Sequence, residues 1–104
     1  MRVTVLSIAE QDMESIGDFI AQRDPKRAIS FVHDLRDATE ILGTFPEGFP
    51  LVPGFEHDGV RMHAHGRYVI YYRVIAAEER VLVLRVLHSA QDRDNHLTSV
   101  VSQK

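Results

Sequence analysis

Two nearly continuous apolar runs lie close together in the second half of the chain, and they constrain its fold more than any other feature. Arg67–Ile75 is rich in valine, isoleucine and tyrosine, and Arg80–Leu87 is rich in valine and leucine. The four residues 76–79 separate them, a length typical of a β-hairpin loop. Apolar side chains on both faces of a strand predict a position within a sheet that is covered, at least in part, on both sides.

The first half begins with a pattern typical of an amphipathic helix. Apolar residues recur with a 3.6-residue period from Ala9 to Ile20, which predicts a helix near residues 9–23. Ser7 and Glu10 have the spacing of a capping box at its start. Gly17 weakens a helix, by roughly 1 kcal/mol relative to alanine, so a glycine there indicates a close packing contact.

A second helix follows a strong boundary signal at Asp24–Pro25. Aspartate is a good N-cap, and proline is favoured as the first helical residue. The apolar stripe that follows predicts a helix near residues 25–42, with Gly43 ending it in a left-handed conformation. The short connection predicts that the two helices pack as an antiparallel hairpin.

The order of the elements predicts an α+β fold, β-α-α-β-β-β, in which the helical hairpin packs on one face of an antiparallel sheet. Residues 44–59 contain three prolines and three glycines and predict a loop. We expect one domain over residues 1–95 and a C-terminal tail, 96–104, that is flexible. The strands are expected near residues 2–7, 60–64, 67–76 and 79–88.

Composition excludes several function classes. The 104 residues contain no cysteine, which excludes disulfides, thiolate catalysis and cysteine-based metal sites. No segment is long and apolar enough for a secretory or membrane-spanning helix, so we expect a cytoplasmic protein. The net charge of −3 is unlike that of a generic nucleic-acid binder. Direct nucleic-acid binding is therefore not expected.

Charge is unevenly distributed along the sequence. Residues 1–58 hold 5 Lys/Arg and 11 Asp/Glu, whereas residues 59–88 hold 5 arginines and 2 acids. Arginine is well suited to bidentate contacts with carboxylate or phosphate groups. The pattern therefore indicates either a surface for an acidic partner or solvated strand positions. The candidate partner-binding residues are Arg61, Arg67, Arg73 and Arg85.

Several motifs, in order and at the right spacing, resemble the RelE/ParE superfamily of bacterial toxins. The most specific are Gly-Arg-Tyr-Val-Ile-Tyr-Tyr-Arg at Gly66–Arg73 and Val-Leu-Arg-Val-Leu-His-Ser-Ala-Gln-Asp at Val83–Asp92. Both resemble the ParE branch of the superfamily, although Gln91 stands where ParE-like sequences often carry arginine. Weaker matches lie at Ala9–Met13, Ile16–Ile20, Asp24–Pro25 and Phe45–Gly48.

The resemblance implies the toxin half of a type II toxin–antitoxin pair, bound in a hetero-oligomer by a ParD-like antitoxin. ParE-like toxins poison DNA gyrase by protein contact, so the resemblance implies no catalysis and no cofactor. The alternative, from the RelE branch, is a ribosome-dependent mRNA endoribonuclease. A third possibility is a member that binds only its antitoxin.

The hairpin register decides which residues meet at the end of the sheet. With a two- or four-residue loop, Arg67 is predicted to lie opposite His88. In RNA-cleaving relatives, residues at such positions belong to the active site, and the resemblance implies a ribonuclease set of Arg67, His88 and Glu47. Attack of a ribose 2′-OH on phosphorus needs a base, an acid and a cation. The other interpretation is structural, a histidine that is hydrogen-bonded at a strand end.

Other candidate groups have weaker signals. His63 and His65 could point the same way on a strand, with His57 nearby, but no third zinc ligand is fixed by spacing, so no metal site is predicted. The tyrosines of the first apolar run could stack on bases, yet packing on the sheet is the favoured interpretation. The helical hairpin and its neighbouring sheet edge are the expected landing site for the antitoxin.

Overall fold

The computed structural model describes residues 1–102. Its predicted α+β class is confirmed, and both predicted helices are present. The elements are β1 (Arg2–Val5), α1 (Ser7–Ala21), α2 (Pro25–Thr44), β2 (Arg61–His65), β3 (Tyr68–Ile75), a 3₁₀ turn (Ala76–Glu78), β4 (Arg80–His88) and α3 (Arg93–Val101). The hairpin loop between β3 and β4 contains the four expected residues, and its last residue, Glu79, has a positive φ of 49°.

The sheet is mixed, so the expectation of an antiparallel sheet is wrong. The strand order is β1-β4-β3-β2, and β2, β3 and β4 form an antiparallel meander. β1, however, runs parallel to β4, with Arg2 beside Arg80 and Val5 beside Val83. Side-chain periodicity predicts that a strand exists and not which edge of a sheet it joins, because that depends on the long connections.

Both faces of the sheet are covered, as the apolar runs of β3 and β4 predict. On the first face, α1 and α2 enclose a core that contains Met13, Leu35 and Tyr72. On the second face, Val52 and Val60 from the loop before β2, together with α3, enclose a second core. The central hairpin can therefore be apolar on both sides.

The start of α1 differs from the predicted capping box. Leu6 is the N-cap, and no side chain of the described residues supplies a capping hydrogen bond there. Glu10 instead points toward α2, where Arg36 donates two hydrogen bonds to its carboxylate, at 3.1 and 2.9 Å. A strong tertiary partner has therefore taken the carboxylate that a capping box would use. The resulting ion pair lies on the surface, between the helices.

The two ends of α2 differ in how well they were predicted. Asp24 caps the helix as expected, accepting a hydrogen bond of 3.1 Å from the backbone N–H of Arg27. Gly43 does not end it, since the helix continues to Thr44. The small residue instead lets the chain start pack closely, and the Met1 ammonium donates to the Gly43 carbonyl at 2.7 Å. A glycine near a helix end has a packing role here and not a conformational one.

A third helix forms where no pattern was found. Arg93–Val101 is helical, although residues 96–104 were expected to form a flexible tail. Leu97 and Val101, one helical turn apart, are buried against the second face of the sheet. Two apolar residues are too few to predict a helix from periodicity. Residues 103 and 104 of the expected tail lie outside the described residues.

Candidate functional site

An irregularity in β4 determines what meets at the end of the central hairpin. Next to the loop the register is as predicted, with Arg73 beside Leu82. Leu84 is then an extra residue on β4, a β-bulge, and beyond it the pairing shifts by one position. His88 consequently lies opposite Tyr68, and the predicted pairing of His88 with Arg67 is wrong.

His88 is held firmly at this strand end. Its Nδ1 accepts a hydrogen bond of 3.0 Å from the Ala90 backbone N–H, and its ring packs edge-on against Tyr68 at 5.3 Å. Its own backbone N–H donates to Gln91 Oε1 at 2.7 Å. The contact with Ala90 engages the Nδ1 lone pair of His88.

The three residues of the possible ribonuclease set are not brought together. Arg67 is exposed beside the end of β4, where its carbonyl accepts from Ser89 N–H at 2.8 Å. Glu47 lies near the other end of β2, since its carbonyl is 3.5 Å from Arg61 Nη1. The Arg61 end of β2 is four residues, about 13 Å, from the His65 end, which pairs with Tyr68, the neighbour of His88 on β3. A carboxylate base for this set is therefore distant.

Two of the four candidate arginines have partners within the chain. Arg61 Nη1 donates to the Phe49 carbonyl at 2.7 Å and holds the loop before β2. Arg85 forms a bidentate ion pair with Asp12, through Nε at 2.7 Å and Nη2 at 2.8 Å. This hydrogen bonding raises the pKa of Arg85 above its ordinary value, despite the opposing effect of burial. Asp12 lies within the Ala9–Met13 match but was not a candidate residue, because nothing in a helical stripe reveals which strand residue it meets.

The other two candidates remain available to a partner. The side chain of Arg67 is exposed. Arg73 lies half-buried on β3, and its Nε is a buried nitrogen without a hydrogen-bond partner in the described part of the chain. A buried donor of this kind normally has a partner. Arg73 is therefore the candidate arginine with a buried hydrogen-bond donor that no acceptor among the described residues satisfies.

The outer surface of the helical hairpin carries an open groove of about 680 Å³. Small residues on both helices, among them Gly17, Ala21 and Ala28, line it. The close packing predicted at Gly17 is present, because a Cβ at this position would lie only 2.9 Å from Val32 Cγ2. At the rim, Ile29 is 75% exposed. Such a surface is suited to the apolar face of a helix.

Comparison with known proteins identifies the fold's relatives. Residues 3–93 match the family model described as the ParE toxin of the type II toxin–antitoxin system parDE. The chain belongs to the ParE toxin family. A search among curated proteins gave no match. The predicted resemblance to the superfamily, and to its ParE branch, is thereby confirmed.

Solved structures of similar fold include toxin–antitoxin complexes. The toxin resembles a chain of the chromosomal ParDE system of P. aeruginosa, with a TM-score of 0.72 and 21% identity over 85% of this chain and 95% of that one. It also resembles a chain of the RelBE2 complex of Mycobacterium tuberculosis, with a TM-score of 0.55 and 20% identity over 84% and 95%. At these identities, the likeness supports the shared fold.

Aromatic packing accounts for most of the remaining candidates in the toxin. Tyr71 and Tyr72 are buried, as the packing interpretation predicts, and burial raises the pKa of each phenol. His63 packs on Phe49 with ring centroids 4.0 Å apart. Burial, and then the neighbouring His65, lower the pKa of His63. These tyrosines and His63 are therefore chiefly packing residues.

Two further observations complete the surface of the toxin. Among residues 1–102, ligating side chains converge at an exposed group of three on α2, consisting of His33, Asp34 and Asp37. The histidines singled out from the sequence are not part of it. None of the helices within the described residues is both long enough and apolar enough to cross a membrane.

Proposed function

We propose that this toxin is neutralised by a ParD-like antitoxin, an amphipathic helix of which occupies the groove between α1 and α2. The ParDE and RelBE2 chains of similar fold come from toxin–antitoxin systems, which supports a partner of this kind. The groove supports the position, because apolar residues form much of its lining, alongside charged side chains of both helices, and Ile29 is exposed. An exposed apolar residue beside a groove is a typical anchor for a partner helix.

The groove assignment is tested by replacing Ile29 with glutamate and measuring antitoxin affinity by calorimetry. A charge at a desolvated contact should weaken binding at least tenfold, because burying an unpaired carboxylate is unfavourable. Ile41→Glu is a matched control on the same helix, since Ile41 is 42% exposed and outside the groove lining. Equal affinities for the two variants would refute groove docking.

We further propose that the toxin acts in the cytoplasm by binding DNA gyrase, and not by cleaving RNA. One observation carries this proposal: Glu47 lies near the far end of β2 and is not brought together with Arg67 and His88. A ribonuclease would need these groups around one phosphate. A toxin that acts by contact needs only a surface that its target recognises.

The target is tested with purified toxin in two assays run in parallel. We expect inhibition of gyrase supercoiling and intact mRNA in a translating system. His88→Gln should leave the inhibition within about threefold, since no proton needs to move. Arg61→Gln removes the hydrogen bond that holds the loop before β2. This variant is a control that shows how far inhibition falls when the fold is disturbed at a position away from His88. Site-specific mRNA cleavage that His88→Gln abolishes would overturn the proposal in favour of a RelE-like nuclease.

A further inference from the structure

Three arginines from adjacent strands lie together at one end of the sheet. Arg2 on β1 is directly beside Arg80 on β4, and Arg80 is directly beside Ile75 on β3. Arg73 lies two residues from Ile75 on β3, and it therefore projects from the same face. We call Arg2, Arg73 and Arg80 the arginine face.

The three residues of the arginine face project from the second face of the sheet, which is the side opposite the helical hairpin. Val3 and Val81, which alternate with Arg2 and Arg80, pack in the first core under the hairpin. Leu82 lies between the arginines and is partly buried against the second core. Further along β4, α3 and the loop before β2 bury Leu84 and Leu87, whereas Arg2 is exposed and Arg73 and Arg80 are half-buried. This end of the sheet is therefore only partly covered.

The charges of the arginine face are only partly neutralised by the toxin itself. Glu78 pairs with Arg80, at 2.7 Å from its Nη2 and 3.0 Å from its Nε. Arg2 and Arg73 make no salt bridge within residues 1–102, and the buried Nε of Arg73 has no acceptor there. Like charges on directly neighbouring strand positions are unfavourable. The arrangement lacks acceptors that an anionic partner would supply.

We propose that the arginine face binds an extended acidic segment of a protein partner. The backbone positions of Arg2 and Arg73 are two strands and two residues apart, about 12 Å. Carboxylates at positions i and i+4 of an extended chain are about 13 Å apart, and one at i+2 lies between them. Each guanidinium can then receive one carboxylate.

The apolar surroundings favour a protein segment over a nucleic acid. Ile75 and Leu82 lie beside the arginines, and they suit the aliphatic part of a peptide. The aromatic residue on the same face of β3, Tyr71, is buried and offers no stacking surface for a base. A net charge of −3 also opposes tight phosphate-backbone binding. The site is on the sheet face opposite the groove, so it does not depend on how the antitoxin docks.

Arginine side-chain NMR provides a direct test on the full chain. The probe is a peptide with the sequence acetyl-Glu-Val-Glu-Val-Glu-amide, and the control peptide has glutamine at all three acidic positions. We expect the Nε–H signal of Arg73 to shift saturably with the acidic peptide only, and to shift less at high salt. No shift with the acidic peptide would overturn the proposal. A shift with oligothymidylate alone would replace it with nucleic-acid binding.

Two variants that remove the same charge from different places show whether peptide binding depends on this site or on the net charge of the toxin. Arg2→Gln combined with Arg73→Gln should weaken the acidic peptide about tenfold, since each lost pair is worth a few-fold. Arg23→Gln combined with Lys26→Gln removes the same charge from the exposed turn between α1 and α2. Equal weakening in both double variants would contradict a specific site. Arg2→Gln alone, at an exposed position, gives the answer if the Arg73 change unfolds the domain.

Discussion

Replacing Asp12 with alanine should destabilise the fold by about 3 kcal/mol, although the sequence does not single out Asp12 as a candidate residue. Its carboxylate accepts two hydrogen bonds from Arg85 and a third, of 3.0 Å, from the Val86 backbone N–H. The side chains of Arg85 and Asp12 are only 11% and 14% exposed. Arg85 Nη1 also lies 3.3 Å from Nδ1 of His96 on α3. One ion pair therefore connects α1, β4 and α3.

The expected loss of about 3 kcal/mol arises because the Arg85 charge remains buried without its partner. Removing one partner of a buried ion pair typically costs 3–5 kcal/mol, and the slight solvent exposure here favours the lower end of that range. For a domain of this size, about 3 kcal/mol corresponds to a fall of about 15 °C in Tm. Urea unfolding followed by circular dichroism should show a midpoint lower by about 2 M with an unchanged slope.

A double-mutant cycle tests the reasoning itself. Arg85→Met should be about as destabilising as Asp12→Ala, because it leaves a buried carboxylate without its cation. The combination of Asp12→Ala and Arg85→Met should cost much less than the two single changes added together, since neither charge remains. If the double variant loses the sum of the single losses to within about 0.5 kcal/mol, the two residues are not coupled and the argument fails.

Three further predictions concern the helices and the sheet edge. Glu10→Gln should cost at most about 0.5 kcal/mol at neutral pH, because the pair with Arg36 is exposed. Hydrogen bonding by Arg36 lowers the pKa of Glu10 below 4.5, so the difference in stability between the two proteins should disappear as the pH falls through that lowered value. A difference that stays constant with pH in denaturation experiments would refute this prediction. Gly43→Ala should lower the free energy of unfolding by about 1–2 kcal/mol, since its Cβ would collide with the Met1 backbone, and calorimetry showing an unchanged Tm would contradict this packing. Burial holds the pKa of His63 below 6.5, so the unfolded state binds more protons and stability should fall as the pH drops below 6.5; His63→Gln should flatten this pH dependence.

Local patterns predicted the elements of the first three quarters of the fold. The 3.6-residue stripes located α1 and α2, and Asp24 marked their boundary because a cap is a local interaction. Apolar runs likewise located β3 and β4. The direction of β1 and the existence of α3 were not predictable in this way. The direction of β1 depends on contacts with β4, which is distant in sequence, and α3 is buried through only two apolar residues, Leu97 and Val101.

The candidate site was less predictable than the fold, because one extra residue in β4 changes which side chains meet at the end of the hairpin. The register beside the hairpin loop followed from loop length, but the extra Leu84 moved His88 from Arg67 to Tyr68. Nothing in an apolar run distinguishes a bulged residue from a paired one. The arginines were identified as a group, yet the sequence could not separate Arg85, which has an internal partner, from Arg73, which lacks one.

The parallel pairing of β1 with β4 has a consequence for the time at which the toxin becomes active. Synthesis proceeds from the N-terminus, so β1 emerges first and its sheet partner is the last strand to follow. Until β4 is available, α1 and α2 have no complete sheet to cover, and Arg2 has no Arg80 beside it. We expect ribosome-bound chains that end before Arg80 to remain sensitive to protease. A growing toxin should then acquire its binding surfaces only after β4 has been made.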